Sequence, residues 1–215
     1  MKSKTLYTLL LFIAFSLCAI ALKAQGDRLF TADNELSSSM INHIYQDKEG
    51  LIWISTEDGL NCYDGAKFRV YREMVKDAVS SNFVSYTFED SHKRLFIGTL
   101  DGVLLHNKAT GTFKKIPFNL HTNPHMNAHV TCIIERQNGD ILVGTTSHGT
   151  FQVKAEGDSL YLKQDISLAP SLAINTLYED RDKRLWVATT DKGIYLVDGE
   201  NPYKEIINPG NVQFQ

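Results

Sequence analysis

Nearly the same phrase occurs four times in the 215-residue chain, and this repetition limits the fold more than any other feature. It reads "LIWISTEDGL" at 51–60, "LFIGTLDGV" at 95–103, "ILVGTTSHGTF" at 141–151 and "LWVATTDKGI" at 185–194. Aligned on Trp53, Phe96, Leu142 and Trp186, the copies lie 43, 46 and 44 residues apart. A second shared phrase precedes each: "INHIYQ", "VSYTFE", "VTCIIE" and "INTLYE". A fixed period of this length marks stacked structural units, each too small to bury its apolar face alone.

Each unit reads as four strands. The first alternates, with Ile41, His43 and Tyr45 on one face and Asn42, Ile44 and Gln46 on the other; a period of two is a strand signal. The second is a short apolar run such as Ile52-Trp53-Ile54, the pattern of a strand covered on both faces. A third follows the glycine (Leu60–Tyr63, Val103–His106, Thr150–Val153, Ile194–Val197). A more polar fourth closes the unit at 67–71, 112–116, 160–164 and 203–207. Four antiparallel strands repeated at this interval make the blade of a β-propeller, an all-β fold. The blades are placed at about 36–72, 79–116, 128–164 and 172–207. Burial is expected to grade inward from a charged outer strand.

Three repeat positions carry local expectations. Gly59, Gly102, Gly149 and Gly193 stand where the second strand turns into the third, a turn that needs positive φ. Ser55, Gly98, Gly144 and Ala188 are all small, as close approach of neighbouring blades requires. Thr56, Thr99, Thr145 and Thr189 follow them, and their hydroxyls are expected to bond to backbone within the turn.

The segment 36–72 resembles the opening blade of the two-component regulator propeller, the periplasmic sensor portion of hybrid two-component systems common in Bacteroidetes. The matching elements are "LSS" before the first strand, D-x-x-G-x-x-W-I at 47–54, T-x-D-G-L at 56–60 and "YDG" at 63–65. "VSSNFV" and "IGTLDGV" repeat it in the second unit. The third departs most, with Arg136 in place of the Asp and Leu142 in place of the aromatic. The resemblance covers roughly residues 29–200. It implies the N-terminal sensor region of a hybrid histidine kinase, an oligosaccharide ligand, and a homodimer through the full-length parent. It also implies two seven-bladed propellers followed by a membrane span and a kinase. Only four blades fit before Gln215, so the chain reads as a truncated part of a seven-bladed propeller; a four-bladed ring is the competing reading. WD-repeat and sialidase Asp-box patterns fit less well.

Residues 1–24 form a separate element. Lys2 and Lys4 precede an apolar stretch from Leu6 to Leu22, and Lys23-Ala24 leads into polar sequence, the pattern of a secretory signal peptide with cleavage after Ala24. An uncleaved anchor is the competing reading, with the stretch at the lower limit for a bilayer. Export would place residues 25–215 in the periplasm, with Cys62 and Cys132 in an oxidising compartment. The repeat puts the two in different blades, so two free buried thiols are expected. The formal charge is −3 and no basic stripe appears, which argues against nucleic-acid contact. Membrane attachment is expected only through a segment downstream.

Candidate chemistry is sparse. Asp47, Asp90 and Asp180, and likewise Asp58, Asp101 and Asp191, recur with the repeat and therefore read as turn residues rather than catalytic carboxylates. His121, His125 and His129 are spaced by four, but Pro124 and neighbouring asparagines make this a loop rather than a helical metal site. Trp53, Phe96 and Trp186 read as core. Tyr63, Phe68, Tyr71 and Tyr203 fall on outer strands or turns. The expectation is no catalytic residue, no cofactor, no metal, and a ligand site that the residues do not locate. The alternative function is a secreted, non-catalytic propeller that binds a glycan or a protein.

Overall fold

The computed structural model describes residues 28–72, 81–118, 128–165 and 172–198, with the backbone of 201–207. Contacts divide the chain after Thr31. In the first unit the Arg28 guanidinium lies 4.8 Å from the centre of the Phe30 ring. The second unit, from Ala32 onward, holds every strand. Residues 1–24, with the expected signal peptide, lie outside the described residues.

Sixteen strands form four sheets of four, each a simple antiparallel meander. Blade 1 comprises β1 (Ile41–Gln46), β2 (Ile52–Thr56), β3 (Gly59–Tyr63) and β4 (Phe68–Tyr71). Blade 2 comprises β5 (Val84–Glu89), β6 (Leu95–Thr99), β7 (Gly102–Asn107) and β8 (Thr112–Lys115). Blade 3 comprises β9 (Val130–Glu135), β10 (Ile141–Thr145), β11 (Thr150–Glu156) and β12 (Ser159–Gln164). Blade 4 comprises β13 (Ile174–Glu179), β14 (Leu185–Thr189), β15 (Ile194–Asp198) and β16 (Asn201–Ile207). The architecture is that of stacked propeller blades. The repeat that lacks the Asp keeps it: Leu142 is buried like Trp53 and Phe96.

The core is not a single cluster but a set of junctions. Trp53, Leu60 and Cys62 of blade 1 pack with Val84, Leu95, Ile97 and Leu104 of blade 2. Phe96 and Val103 of blade 2 pack with Val130, Ile133, Ile141, Val143 and Phe151 of blade 3. Cys132 and Leu142 of blade 3 pack with Ile174, Leu177, Leu185 and Val187 of blade 4. Each blade therefore has a leading face toward the preceding blade and a trailing face toward the next.

The small position works as expected. A Cβ on Gly98 would come within 2.7 Å of Val130 in the next blade. A Cβ on Gly144 would meet Cys132 Sγ at 2.6 Å and Ile174 at 2.7 Å. In blade 1, Ser55 fills the same place and its hydroxyl shares a 2.8 Å hydrogen bond with that of Thr87. All four turn glycines take positive φ, between 66° and 130°. Cys62 and Cys132 are free and buried.

Two expectations need correction. Burial does not grade inward: the second strand is the most buried, every residue of β6 and β10 being enclosed, whereas the innermost β1 is mostly exposed. The second strand has both faces and both edges covered within its blade stack, while the first has a sheet neighbour on one edge only. Trp186 is half-buried rather than core, because it lies on the trailing face of blade 4.

Candidate functional site

In a meander, the turns between first and second strands and between third and fourth strands collect at one end. The turns between second and third strands, and the connections between blades, collect at the other. The two ends differ in chemistry.

The first end is a network of committed carboxylates. Asp47 accepts hydrogen bonds from the Glu49 and Leu51 N–H groups, both 3.0 Å, and from the Trp53 indole at 2.9 Å. Burial opposes its ionisation, but these donors and the nearby Lys108 ammonium outweigh it and hold its pKa below the usual carboxylate value. Asp180 accepts from the indole of Trp186 and from the N–H and guanidinium of Arg184, and its pKa falls to about 2. Asp90 accepts from Arg94 in the same way. Arg136 cannot play this role, yet its turn closes through backbone bonds alone, Gly139 N–H to Arg136 C=O at 2.8 Å and Arg136 N–H to Asp140 C=O at 2.8 Å. The recurring Asp is thus a turn residue, as its recurrence implies.

A repeated latch crosses each junction at this end, and the sequence reading overlooked it. The last residue of the first strand is Glu89, Glu135 or Glu179 in blades 2, 3 and 4. Each accepts the backbone N–H of the residue after the turn position in the preceding blade: Lys48 at 2.7 Å, Ser91 at 2.7 Å and Gln137 at 2.5 Å. Side chains reinforce the latch. Lys48 Nζ and Gln137 Nε2 donate to the carbonyls of Asp90 and Asp180, both at 2.8 Å. Lys108 Nζ lies 2.7 Å from Glu89 and 3.5 Å from Asp47 and Glu49. Burial works against its charge, but this carboxylate group more than compensates and raises its pKa. The signal was present: an acid at the same repeat position in three blades, with Gln46 in the first.

Asp90, His92 and Glu135 place ligand-type atoms within 4.8 Å of one another. Their oxygens are engaged, Glu135 by the Ser91 N–H and hydroxyl and Asp90 by Arg94, whose positive charge opposes a cation. Of the spaced histidines, His121 and His125 lie outside the described residues. His129 is half-buried, stands edge-on to Phe83 with ring centres 5.4 Å apart, and has its pKa lowered by burial.

At the second end, the threonines behave as expected. Thr56, Thr99, Thr145 and Thr189 donate to the carbonyls of Gly59, Gly102, Gly149 and Gly193 at 2.8–3.0 Å. The same hydroxyls accept the N–H groups of Asp58, Asp101, His148 and Lys192. With each turn fixed at its base, the tips are free to differ. They present exposed Glu57, exposed Leu100, exposed Ser147, and exposed Asp191 and Lys192. Asp58 does more than turn the chain: it pairs with Arg72 at 3.0 Å and accepts from Asn82 at 3.1 Å, joining blade 1 to the start of blade 2.

The outer aromatics divide. Tyr63 and Phe68 stack at 4.6 Å on the rim, Tyr71 stacks on Trp53 inside the blade 1–2 junction, and the side chain of Tyr203 lies outside the described residues. A rim groove between blades 2 and 3 is lined by Pro117, Phe118, Glu156, Ser159, Leu160 and Tyr161. The functional surface best supported is the second end, a rigid base carrying variable tips.

Comparison with known proteins agrees with this geometry. The profile of the family described as "Two component regulator propeller" matches residues 35–58 and 168–191. A histidine kinase of Formosa agariphila, Histidine kinase P4, is 44% identical over 72 residues, a match covering 32% of this chain and 5% of that protein. A solved structure assigned as the extracellular domain of the hybrid two component system BT3049 of B. thetaiotaomicron superposes with a TM-score of 0.72 at 24% identity, covering 86% of this chain and 27% of that one. Another, assigned to the hybrid two component system BT4673 of the same organism, gives 0.61 at 25% identity over 81% of this chain and 24% of that one. The chain thus spans about a quarter of the solved chains it resembles and far less of the curated relative.

Fold and repeats together define a run of β-propeller blades. The repeats are those of the two-component regulator propeller family.

Proposed function

We propose that this chain is the periplasmic, ligand-sensing part of a hybrid two-component sensor histidine kinase, and that its ligand is an oligosaccharide. The observation carrying this reading is the contrast between the two ends of the blades. One end is latched by repeated, saturated hydrogen bonds; the other holds chemically different tips on identical threonine-anchored turns. Such a surface binds and does not catalyse, since the recurring carboxylates are already committed to N–H, indole and guanidinium donors.

In the same reading, residues 1–24 direct export and are removed. Residues 25–215 belong to a larger seven-bladed propeller, and the parent is a homodimer anchored in the inner membrane. Signalling then requires that the ligand bind two arrangements of the dimer unequally, because equal affinity shifts no equilibrium.

The test is thermal unfolding of the purified chain with a panel of defined neutral oligosaccharides of glucose, mannose, galactose and fructose. A ligand at about a hundred times its Kd stabilises the native state by about 2.7 kcal/mol. The reading expects at least one member to raise the unfolding midpoint, and an Asp191→Ala or Glu57→Ala change to weaken that shift. A panel without any shift contradicts oligosaccharide recognition by this region.

A further inference from the structure

The junctions obey one rule. The first and fourth residues of an innermost strand pack against the preceding blade: Val84 and Thr87, Val130 and Ile133, Ile174 and Leu177 are all buried there. The third and fifth lie toward the following blade, as His43 does when it stacks on Tyr86 with ring centres 3.9 Å apart. The sixth supplies the latch acceptor.

The two end faces carry both halves of this rule unused. On the leading face of blade 1, Ile41 is 39% exposed and Ile44 62% exposed, at positions that are enclosed in the other three blades. On the trailing face of blade 4, Thr176 is exposed, Tyr178 is 62% exposed and Trp186 is half-buried where Trp53 is 1% exposed. Ala188 supplies the small position there. Arg181 follows Asp180 as Lys48 follows Asp47, so its N–H stands at the latch-donor position. Gln46 stands at the latch-acceptor position, and its side-chain oxygen can accept an N–H as a carboxylate does.

We infer that the trailing face of blade 4 binds the leading face of blade 1 in a second copy of this chain, head to tail. Tyr178 and Trp186 would cover the second copy's Ile41 and Ile44, as Tyr45 and Trp53 cover Val84 within the chain. The Arg181 N–H would donate to the second copy's Gln46. The Arg181 guanidinium would reach the second copy's Asp47 carbonyl, as Lys48 and Gln137 reach the equivalent carbonyls inside the chain. Such a contact is heterologous, so it closes only where its rotation permits. Two copies of four blades would complete a ring of eight, within the range propellers adopt. In a longer parent, further blades of the same pattern would take these faces. The inference rests on the junction rule and not on the sensor reading.

Sedimentation velocity on the full chain tests this. The wild type should self-associate above its 24.2 kDa monomer mass. Ile44→Asp alone and Tyr178→Asp alone should each remain monomeric, with dissociation constants raised at least tenfold. Both positions are exposed, so circular dichroism should show each variant folded. An equimolar mixture of the two variants should associate again, because one supplies an intact Tyr178 face and the other an intact Ile44 face. A wild type that stays monomeric, association indifferent to both substitutions, or a mixture that fails to associate would overturn the inference.

Discussion

The carboxylate of Glu89 in blade 2 accepts the backbone N–H of Lys48 in blade 1 at 2.7 Å, across a junction otherwise made of apolar packing. Glu135 and Glu179 repeat the relationship, so blades are held in register by a bond that does not depend on the donor's side chain. Glu89 also neutralises Lys108 at 2.7 Å. Glu89→Ala should lower stability by about 2–3 kcal/mol, because it leaves a part-buried N–H and ammonium short of an acceptor. Glu89→Gln should recover part of that loss by restoring the N–H acceptor. Urea unfolding midpoints at constant m-value provide the check.

The turn between first and second strands holds its fourth residue at positive φ in every blade: Gly50 at 89°, Lys93 at 62°, Gly139 at 85° and Lys183 at 65°. Two of the four are lysines, which adopt this region at a cost. Lys183→Gly should therefore stabilise the protein, by about 0.5 kcal/mol once the extra freedom of glycine in the unfolded chain is subtracted. A loss of stability would contradict the strain assignment.

His106 sits on β7 with 9% exposure, surrounded by Trp53, Tyr71 and Phe113, and neither ring nitrogen has a hydrogen-bond partner. Burial holds the imidazole neutral, aided by the charges of Lys108 and Arg69 and opposed by Asp47, and its pKa drops from 6.5 to about 4. The unfolded chain therefore takes up this proton at higher pH than the folded one. Stability should fall as pH is lowered from 6.5 to about 4 and gain no further loss from this group below that. His106→Phe should flatten the fall, read from unfolding midpoints across that pH range.

Most of the architecture was legible because a period-2 pattern and a 43–46-residue repeat are local properties of sequence. The strand positions, the threonine turns and the role of Gly144 all follow from them. The latch was harder to see, since its donor is a main-chain N–H that any residue supplies. Only the acceptor leaves a trace, as the acid at 89, 135 and 179. The partial exposure of Trp186 was hidden for a related reason: repetition shows what a residue type is suited to, while burial depends on which blade lies beyond it. The ligand surface is the least legible part, because its tips are the positions where the repeat stops repeating.

Cys62 and Cys132 lie in different blades, both free and enclosed, and burial raises each thiol pKa to about 11. The thiolate fraction at neutral pH is correspondingly small. A maleimide reagent should leave the native protein unlabelled over minutes and label both cysteines in denaturant, with identical electrophoretic mobility with and without reductant. Fast native labelling, or a mobility shift on reduction, would contradict this placement.

The central claim is that these blades are the sensing part of a transmembrane kinase. It is tested most directly by sequencing the gene past the codon for Gln215. The account predicts an open frame that continues through further blades with an acid or Gln at the latch position, then an apolar span, then a histidine kinase. A stop codon directly after Gln215 would contradict it.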